Sequence, residues 1–177
     1  MIQLVIFDWD GTLMNSALKI TRCIQASAAE LGLEEPSYEQ SKVVIGLGLN
    51  EAMQRVFPNA SPAQITQLVD AYKHHFVHND KTEQALFSGV REGLERINAA
   101  GAMVAVATGK SRAGLDRVLD ESGLRQQFVY TRCADESRTK PNPQMLHEIL
   151  DFTAIAKRNA IMIGDTSFDM DMAHAAK

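Results

Sequence analysis

Asp8 and Asp10 stand two residues apart in Phe7-Asp8-Trp9-Asp10-Gly11-Thr12-Leu13, directly after an apolar run. If that run is a strand, its period of two aims both carboxylates to one side and turns Trp9 to the other. Gly11 permits an unusual turn and Thr12 can hydrogen-bond within it, so the segment would present its acids in a fixed loop. Taken alone, a solvated turn carrying ordinary acids explains the pattern as well. Three further segments change that balance. Thr108-Gly109-Lys110 offers a hydroxyl and backbone N–H groups to an anion where a helix begins, and helix N-termini favour negative charge. Thr139-Lys140-Pro141-Asn142-Pro143 places a lysine ahead of two prolines that restrict the backbone. A last run, Ile161-Met162-Ile163-Gly164, ends on Asp165, with Asp169 one helical turn later.

Convergence of Asp8, Asp10 and Asp165 opposite Lys140 and Thr108 would make an acidic pocket. Carboxylates that close repel one another unless a cation joins them. A hard, oxygen-preferring ion such as Mg²⁺ meets that need and leaves positions for water and a phosphate oxygen. Phosphoryl transfer requires the same parts: neutralised charge, a placed nucleophile and a proton donor for the leaving group.

Four elements must position these residues. Residues 2–7, 103–107, 128–130 and 160–163 are short apolar runs ended by polar residues or glycine, the pattern of buried parallel strands. Helical spacing over 90–100 and 111–122, each followed by glycine, alternates with them, which predicts an α/β fold with a Rossmann-like parallel sheet. Ligands of such sheets sit beyond the carboxyl ends of the strands. Residues 16–83 break the rhythm and predict an all-helical insertion of three or four helices. Ile20, Ile24, Ala28 and Leu31 share a face, Ser37/Gln40 and Ser61/Gln64 have capping-box spacing, and Pro62 suits a first helical turn. The domains expected are a core of 1–15 and 84–177 and a helical cap of 16–83. The Gly46–Gly48 link is expected to be a plain interhelical turn.

Composition narrows the function classes. The 177 residues are 45% hydrophobic and 23% charged, enough for a sizeable core. A net charge of −4 without a basic stripe argues against nucleic acid as a partner. Cys23 and Cys133, far apart, are expected as buried thiols in a reducing compartment. There is no basic leader and no apolar stretch near 20 residues, so a cytoplasmic protein with no membrane contact is expected. His74, His75 and His78 are expected as surface histidines.

Asp8-Trp9-Asp10-Gly11-Thr12, Thr108-Gly109-Lys110, Lys140-Pro141 and Gly164-Asp165 through Asp169 resemble, in order and spacing, the four motifs of the haloacid dehalogenase superfamily. The helical insertion after the first motif is similar to that of its helical-cap subgroup, especially phosphoglycolate phosphatase-like enzymes. The resemblance implies a phosphatase acting on a small phosphorylated metabolite. Asp8 would be the nucleophile forming an aspartyl-phosphate, and Asp10 the acid that protonates the leaving alcohol and then activates water. Thr108, the backbone at Gly109, and Lys140 would bind the phosphoryl group. Asp8, Asp165 and the backbone carbonyl of Asp10 would hold Mg²⁺, with Asp169 in support. The carboxylate at Asp10 favours phosphate esters over the dehalogenase and phosphonate branches. The cap would be a lid that selects substrate, with Asn15, Arg22, Lys42, Arg55 and the Gly46–Gly48 link as candidates. The chain ends at Lys177 inside the helix after Asp169, where similar proteins continue, so part of the core is expected to be missing. A phosphomutase of the same family and a non-catalytic phosphoacceptor module are the alternatives. Phosphoacceptor receivers, however, have no helical insertion after the first strand.

Overall fold

A computed structural model describes residues 1–177, and the chain divides into two units: Met1–Met14, Gly46–Gly48 and Leu86–Lys177 form the first, and Asn15–Ile45 with Leu49–Ala85 the second. The first is an α/β unit. In chain order its elements are β1 (Leu4–Phe7), then β2 (Met14–Asn15), which carries the chain out. After the second unit, β3 (Ala85–Leu86) returns it as the partner of β2 in a two-stranded ribbon. The chain continues through α5 (Val90–Ala99), β4 (Met103–Ala107), α6 (Arg112–Ser122), β5 (Tyr130–Arg132), α7 (Gln144–Thr153), β6 (Ala160–Ile163) and α8 (Ser167–Ala175).

The sheet order is β5-β4-β1-β6, all parallel, with Phe7 level with Val106 and Ile163. Alternation along β1 explains the two layers. Val5 and Phe7 join Val104, Val106 and the helical Leu94, Leu115 and Val118 on one side. Leu4 and Ile6 join Ala105, Ala107, Met145, Ile149 and Met172 on the other. A central strand wanted on both faces must be apolar at every position, which is why β1 reads as an unbroken run. At the edge, β6 buries neither Ile161 nor Ile163, both of which are exposed.

Two expectations about this unit are corrected. The strand expected at 128–130 lies at Tyr130–Arg132, because Phe128 turns away to meet Trp9 edge-on at 6.1 Å, and the ladder begins with Tyr130 opposite Ala105. An edge strand half open to solvent need not be apolar, so Thr131 and Arg132 hid it. The sequence reading also named no helix at α7, although Met145, Leu146 and Ile149 are buried along one face of it.

The second unit contains α1 (Ala17–Glu30), α2 (Tyr38–Lys42), α3 (Leu49–Val56) and α4 (Pro62–His74), followed by a π-helical turn over His75–Asn79. Both capping boxes form: Ser37 and Gln40, then Ser61 and Gln64, satisfy each other's backbone N–H groups, and Pro62 starts α4. α1 packs on α2 and α4, and α4 on α3. Cys23 and Cys133 are free and buried, each thiol pushed up to about 12, chiefly by burial. His75 is not an ordinary surface histidine; it is half-buried, with Nε2 2.8 Å from Glu30 Oε2.

Ile149, fully buried beneath the sheet, has no solvent-side room into which neighbours can relax. Ile149→Ala is expected to lower unfolding free energy by roughly 2–5 kcal/mol in urea titration.

Candidate active site

The carboxyl ends of β1, β4 and β6 lie side by side in the sheet, and the residues just beyond them meet. Asp8 follows β1 and is fully buried; its backbone N–H donates to Ile163 O at 2.9 Å. Its Oδ1 is 2.8 Å from Lys140 Nζ, while Oδ2 is buried with no hydrogen-bond partner. The same ammonium donates to Asp169 Oδ1 at 2.6 Å. Asp169 Oδ2 in turn accepts from Thr166 N–H at 3.2 Å and Thr166 Oγ1 at 2.9 Å, the capping box that starts α8. Asp165, between β6 and α8, is exposed, and its Oδ1 accepts from Thr12 Oγ1 at 3.0 Å. One carboxylate oxygen from each of Asp8, Asp165 and Asp169 falls within 4.8 Å of the others.

Asp10 takes a different place. Its side chain lies outside that group of three, with Lys110 Nζ 3.2 Å from both Oδ1 and Oδ2. Thr108 is fully buried at the end of β4, its N–H bonded to Arg132 O at 3.0 Å and its hydroxyl accepting from Lys110 N–H at 3.2 Å. Among the residues expected here, Asp8, Lys140 and Asp169 therefore form one contact chain, with the Asp165 carboxylate close by. Asp10 and Thr108 are linked through Lys110, a residue that sequence reasoning saw in the motif but gave no role.

Glycines set two close approaches. Gly11 has φ +83°, and a Cβ there would strike the Asp165 carboxylate. A Cβ on Gly109 would strike the backbone carbonyls of Gly46 and Leu47, so the Gly46–Gly48 link lies against the strand-end loop of β4. A Cβ on Gly46 would sit 3.4 Å from Thr166 Oγ1 and 3.8 Å from Asp8 Oδ2. The link joins α2 to α3, as expected of an interhelical turn, but it is more than that: it passes beside Asp8. Arg22 and Lys42, by contrast, make contacts inside the helical unit, Arg22 with Thr82 Oγ1 at 3.0 Å and Lys42 over the Tyr38 ring at 5.8 Å. Asn15 and Arg55 are exposed.

Electrostatics follow from burial. Desolvation pushes the Asp8 carboxyl up to about 7; Lys140 opposes this, and Asp169 and Asp10 add to it. Burial alone would lower the Lys140 ammonium, but Asp8 and Asp169 outweigh it and hold it above its ordinary value. Asp165 is raised, mainly by burial, against the hydrogen bond from Thr12. One buried cation thus serves two buried carboxylates, with a third close by.

Residues 5–177 match the family described as haloacid dehalogenase-like hydrolase. The chain belongs to that family. It is 30% identical over 181 residues to a phosphoglycolate phosphatase of Thiobacillus denitrificans, covering 99% of this chain and 80% of that protein. It is 28% identical to the pyrophosphatase PpaX of Halalkalibacterium halodurans, covering 96% of this chain and 77% of the other. A crystal structure from Bacteroides fragilis, described as haloacid dehalogenase-like, superposes with a TM-score of 0.92 at 20% identity, covering 99% of this chain and 84% of its own, a likeness of fold. This hydrolase is an enzyme of the phosphoric monoester class. No helix in it is long and apolar enough to cross a membrane.

Three expectations follow for the hydrolase. A carboxyl raised in the folded state contributes full stability below its unfolded value of 3.8 and loses it as pH rises through about 7. Asp8→Asn cannot ionise, so in chelator its melting temperature relative to wild type is expected to climb between about pH 4 and 8; a constant difference would contradict the burial argument. Gly109→Ala is expected to cost roughly 1–3 kcal/mol, since backbone carbonyls cannot swing aside. Gly93→Ala in the open face of α5 meets nothing within 4 Å and is expected to gain about 0.5–1 kcal/mol.

Proposed function

We propose that this hydrolase is a Mg²⁺-dependent phosphatase of a small phosphorylated metabolite, phosphoglycolate-like or a sugar phosphate, working through an aspartyl-phosphate on Asp8. The observation that carries the reading is the environment of Asp8. It is fully buried, paired through one oxygen to Lys140, with its other oxygen unpartnered and two more carboxylates close by.

The donor set fits a hard dication. An orphaned carboxylate oxygen and an all-oxygen cluster with more negative than positive charge suit Mg²⁺, whereas soft thiolates are absent from the cluster. Asp8 and Asp165 would hold the ion, with the Asp10 backbone carbonyl as the resemblance implies and Asp169 anchoring Lys140. When bound, Mg²⁺ would supply the charge neutralisation that lets Asp8 stay ionised and a phosphoryl dianion approach it.

The rest of the chemistry belongs to the chain. Lys140 and Thr108 would take phosphoryl oxygens. The Asp8 carboxylate forms an O–P bond as the ester P–O bond breaks, and Asp10 passes its proton to the departing oxygen. Asp10, now ionised, accepts a proton from water, whose oxygen attacks phosphorus and breaks the Asp8–phosphate bond. Phosphate leaves and both acids return to their starting states. The helical unit would act as a lid that excludes water, and the Gly46–Gly48 link beside Asp8 supports giving substrate choice to that insertion. Two buried, unpaired cysteines support a reducing, cytoplasmic setting.

Sustained hydrolysis of p-nitrophenyl phosphate with Mg²⁺, abolished by chelator and restored by added metal, is the expected result. Asp8→Asn is expected to lose at least about 10³-fold in turnover while keeping its circular dichroism spectrum, since the exchange is nearly isosteric. Phosphorylation that stops at one equivalent would instead mark a phosphoacceptor switch. Transfer to a second hydroxyl would mark a mutase.

A further inference from the structure

We propose that Lys110 is a positioning residue for Asp10, fixing the proton-donating carboxylate toward the leaving-group oxygen; the inference rests on the acid role given to Asp10 above. The ammonium of Lys110 lies 3.2 Å from both oxygens of that carboxylate, and the two side chains are only 8% and 10% exposed. At that burial the contact persists through the step: the ammonium donates to a carboxyl oxygen while Asp10 carries its proton, and forms an ion pair with it once the proton has left, when either partner alone would be a poorly solvated ion.

Both ends of the pair are anchored in the backbone. Lys110 N–H bonds to Thr108 Oγ1 at 3.2 Å, and its carbonyl accepts from Ala134 N–H at 2.9 Å. Its aliphatic stem passes the first turn of α6, within 3.8 Å of where a Cβ on Gly114 would stand. Asp10 is bridged to Met14, and the intervening turn closes with Gly11 N–H on Met14 O at 2.9 Å. The acid therefore has little torsional freedom left once Lys110 grips it.

The two lysines divide the carboxylates between them. Lys140 holds Asp8 and Asp169, on the side where the O–P bond forms. Lys110 holds Asp10, on the side where the ester bond breaks. A point charge centred between two carboxylate oxygens fixes the plane of the group without covering the outer lone pairs. In the first chemical step the proton leaves Asp10 for the departing oxygen as the P–O bond breaks, and Lys110 keeps the donor in line while neither gaining nor losing a proton.

The test uses the full chain with Mg²⁺ and a series of phosphate monoesters running from p-nitrophenyl, a good leaving group, through phenyl to alkyl. Lys110→Met is expected to lose roughly 10–100-fold in kcat/KM on the alkyl ester and less than about 3-fold on the p-nitrophenyl ester, because kcat/KM reports the transfer to Asp8, before the water step that Asp10 also serves, and in that transfer only poor leaving groups depend on a well-placed acid. Lys110→Arg is expected to recover part of the alkyl-ester loss. Asp10→Asn sets the benchmark, with a still steeper dependence on the leaving group. A Lys110→Met loss in kcat/KM that is equal across the series overturns the positioning role while the acid role of Asp10 stands. Flat dependence in Asp10→Asn overturns both. Should the Met variant fail to fold, Lys110→Gln carries the same comparison.

Discussion

One buried ammonium shared between two buried carboxylates governs this molecule. Lys140 reaches Asp8 at 2.8 Å and Asp169 at 2.6 Å, with all three side chains fully withdrawn from water. Charges that deep are tolerated only in mutual contact. The sharing leaves the group short by one positive charge, and Asp165 adds another negative one close by. Taking all four groups as ionised, the excess amounts to two negative charges, which one dication would cancel. The same shortage raises the Asp8 carboxyl. The site thus holds Asp8, the proposed nucleophile, in an environment that resists ionisation until further positive charge arrives.

The fold makes that arrangement possible by bringing remote segments to one edge. Asp8, Thr108 and Asp165 follow three adjacent parallel strands in level register, so their positions are set by the ladder and not by the loops alone. Lys140 comes from the connection between β5 and α7, outside any strand. What fixes its reach is the second half of the arrangement: Asp169 is both the partner of Lys140 and the residue whose carboxylate completes the capping box of Thr166 at the start of α8. The start of that helix and the position of the ammonium are therefore one structural fact. Parallel sheets place strand ends, and helix caps place the charges between them.

This logic also marks what the sequence could and could not disclose. Asp8, Asp10, Asp165 and Asp169 were legible because each follows an apolar run long enough to declare a strand, and charged residues at such ends have few other reasons to recur. β1, β4 and β6 were visible for the same reason. β5 was displaced by two residues because an edge strand tolerates Thr131 and Arg132, and the two-residue strands β2 and β3 are too short for any periodicity to show. Lys110 escaped because its partner is 100 positions away and a lysine after a turn looks like a solvated charge. The Gly46–Gly48 link was named as a candidate, but its closeness to Gly109 was hidden, because glycine reports backbone freedom and only three dimensions reveal which backbone it meets.

Two lysines end in different electrostatic surroundings, Lys110 against Asp10 and Lys140 between Asp8 and Asp169. Lys110 lies against both oxygens of Asp10, and in the proposed mechanism that contact fixes the orientation of the acid. Lys140 faces two and leaves a deficit, so its neighbourhood suits a dication and, in the proposed mechanism, a nucleophile that metal and lysine together would keep ionised. Exchanging those surroundings would defeat both tasks. A neutral Asp8 pair would lose its claim on the metal, and an under-compensated Asp10 would recruit a cation to the carboxylate that must remain open to a proton. The division of five carboxyl and ammonium groups into a closed pair and an open triad is what lets neighbouring aspartates, separated by a single tryptophan, do opposite work.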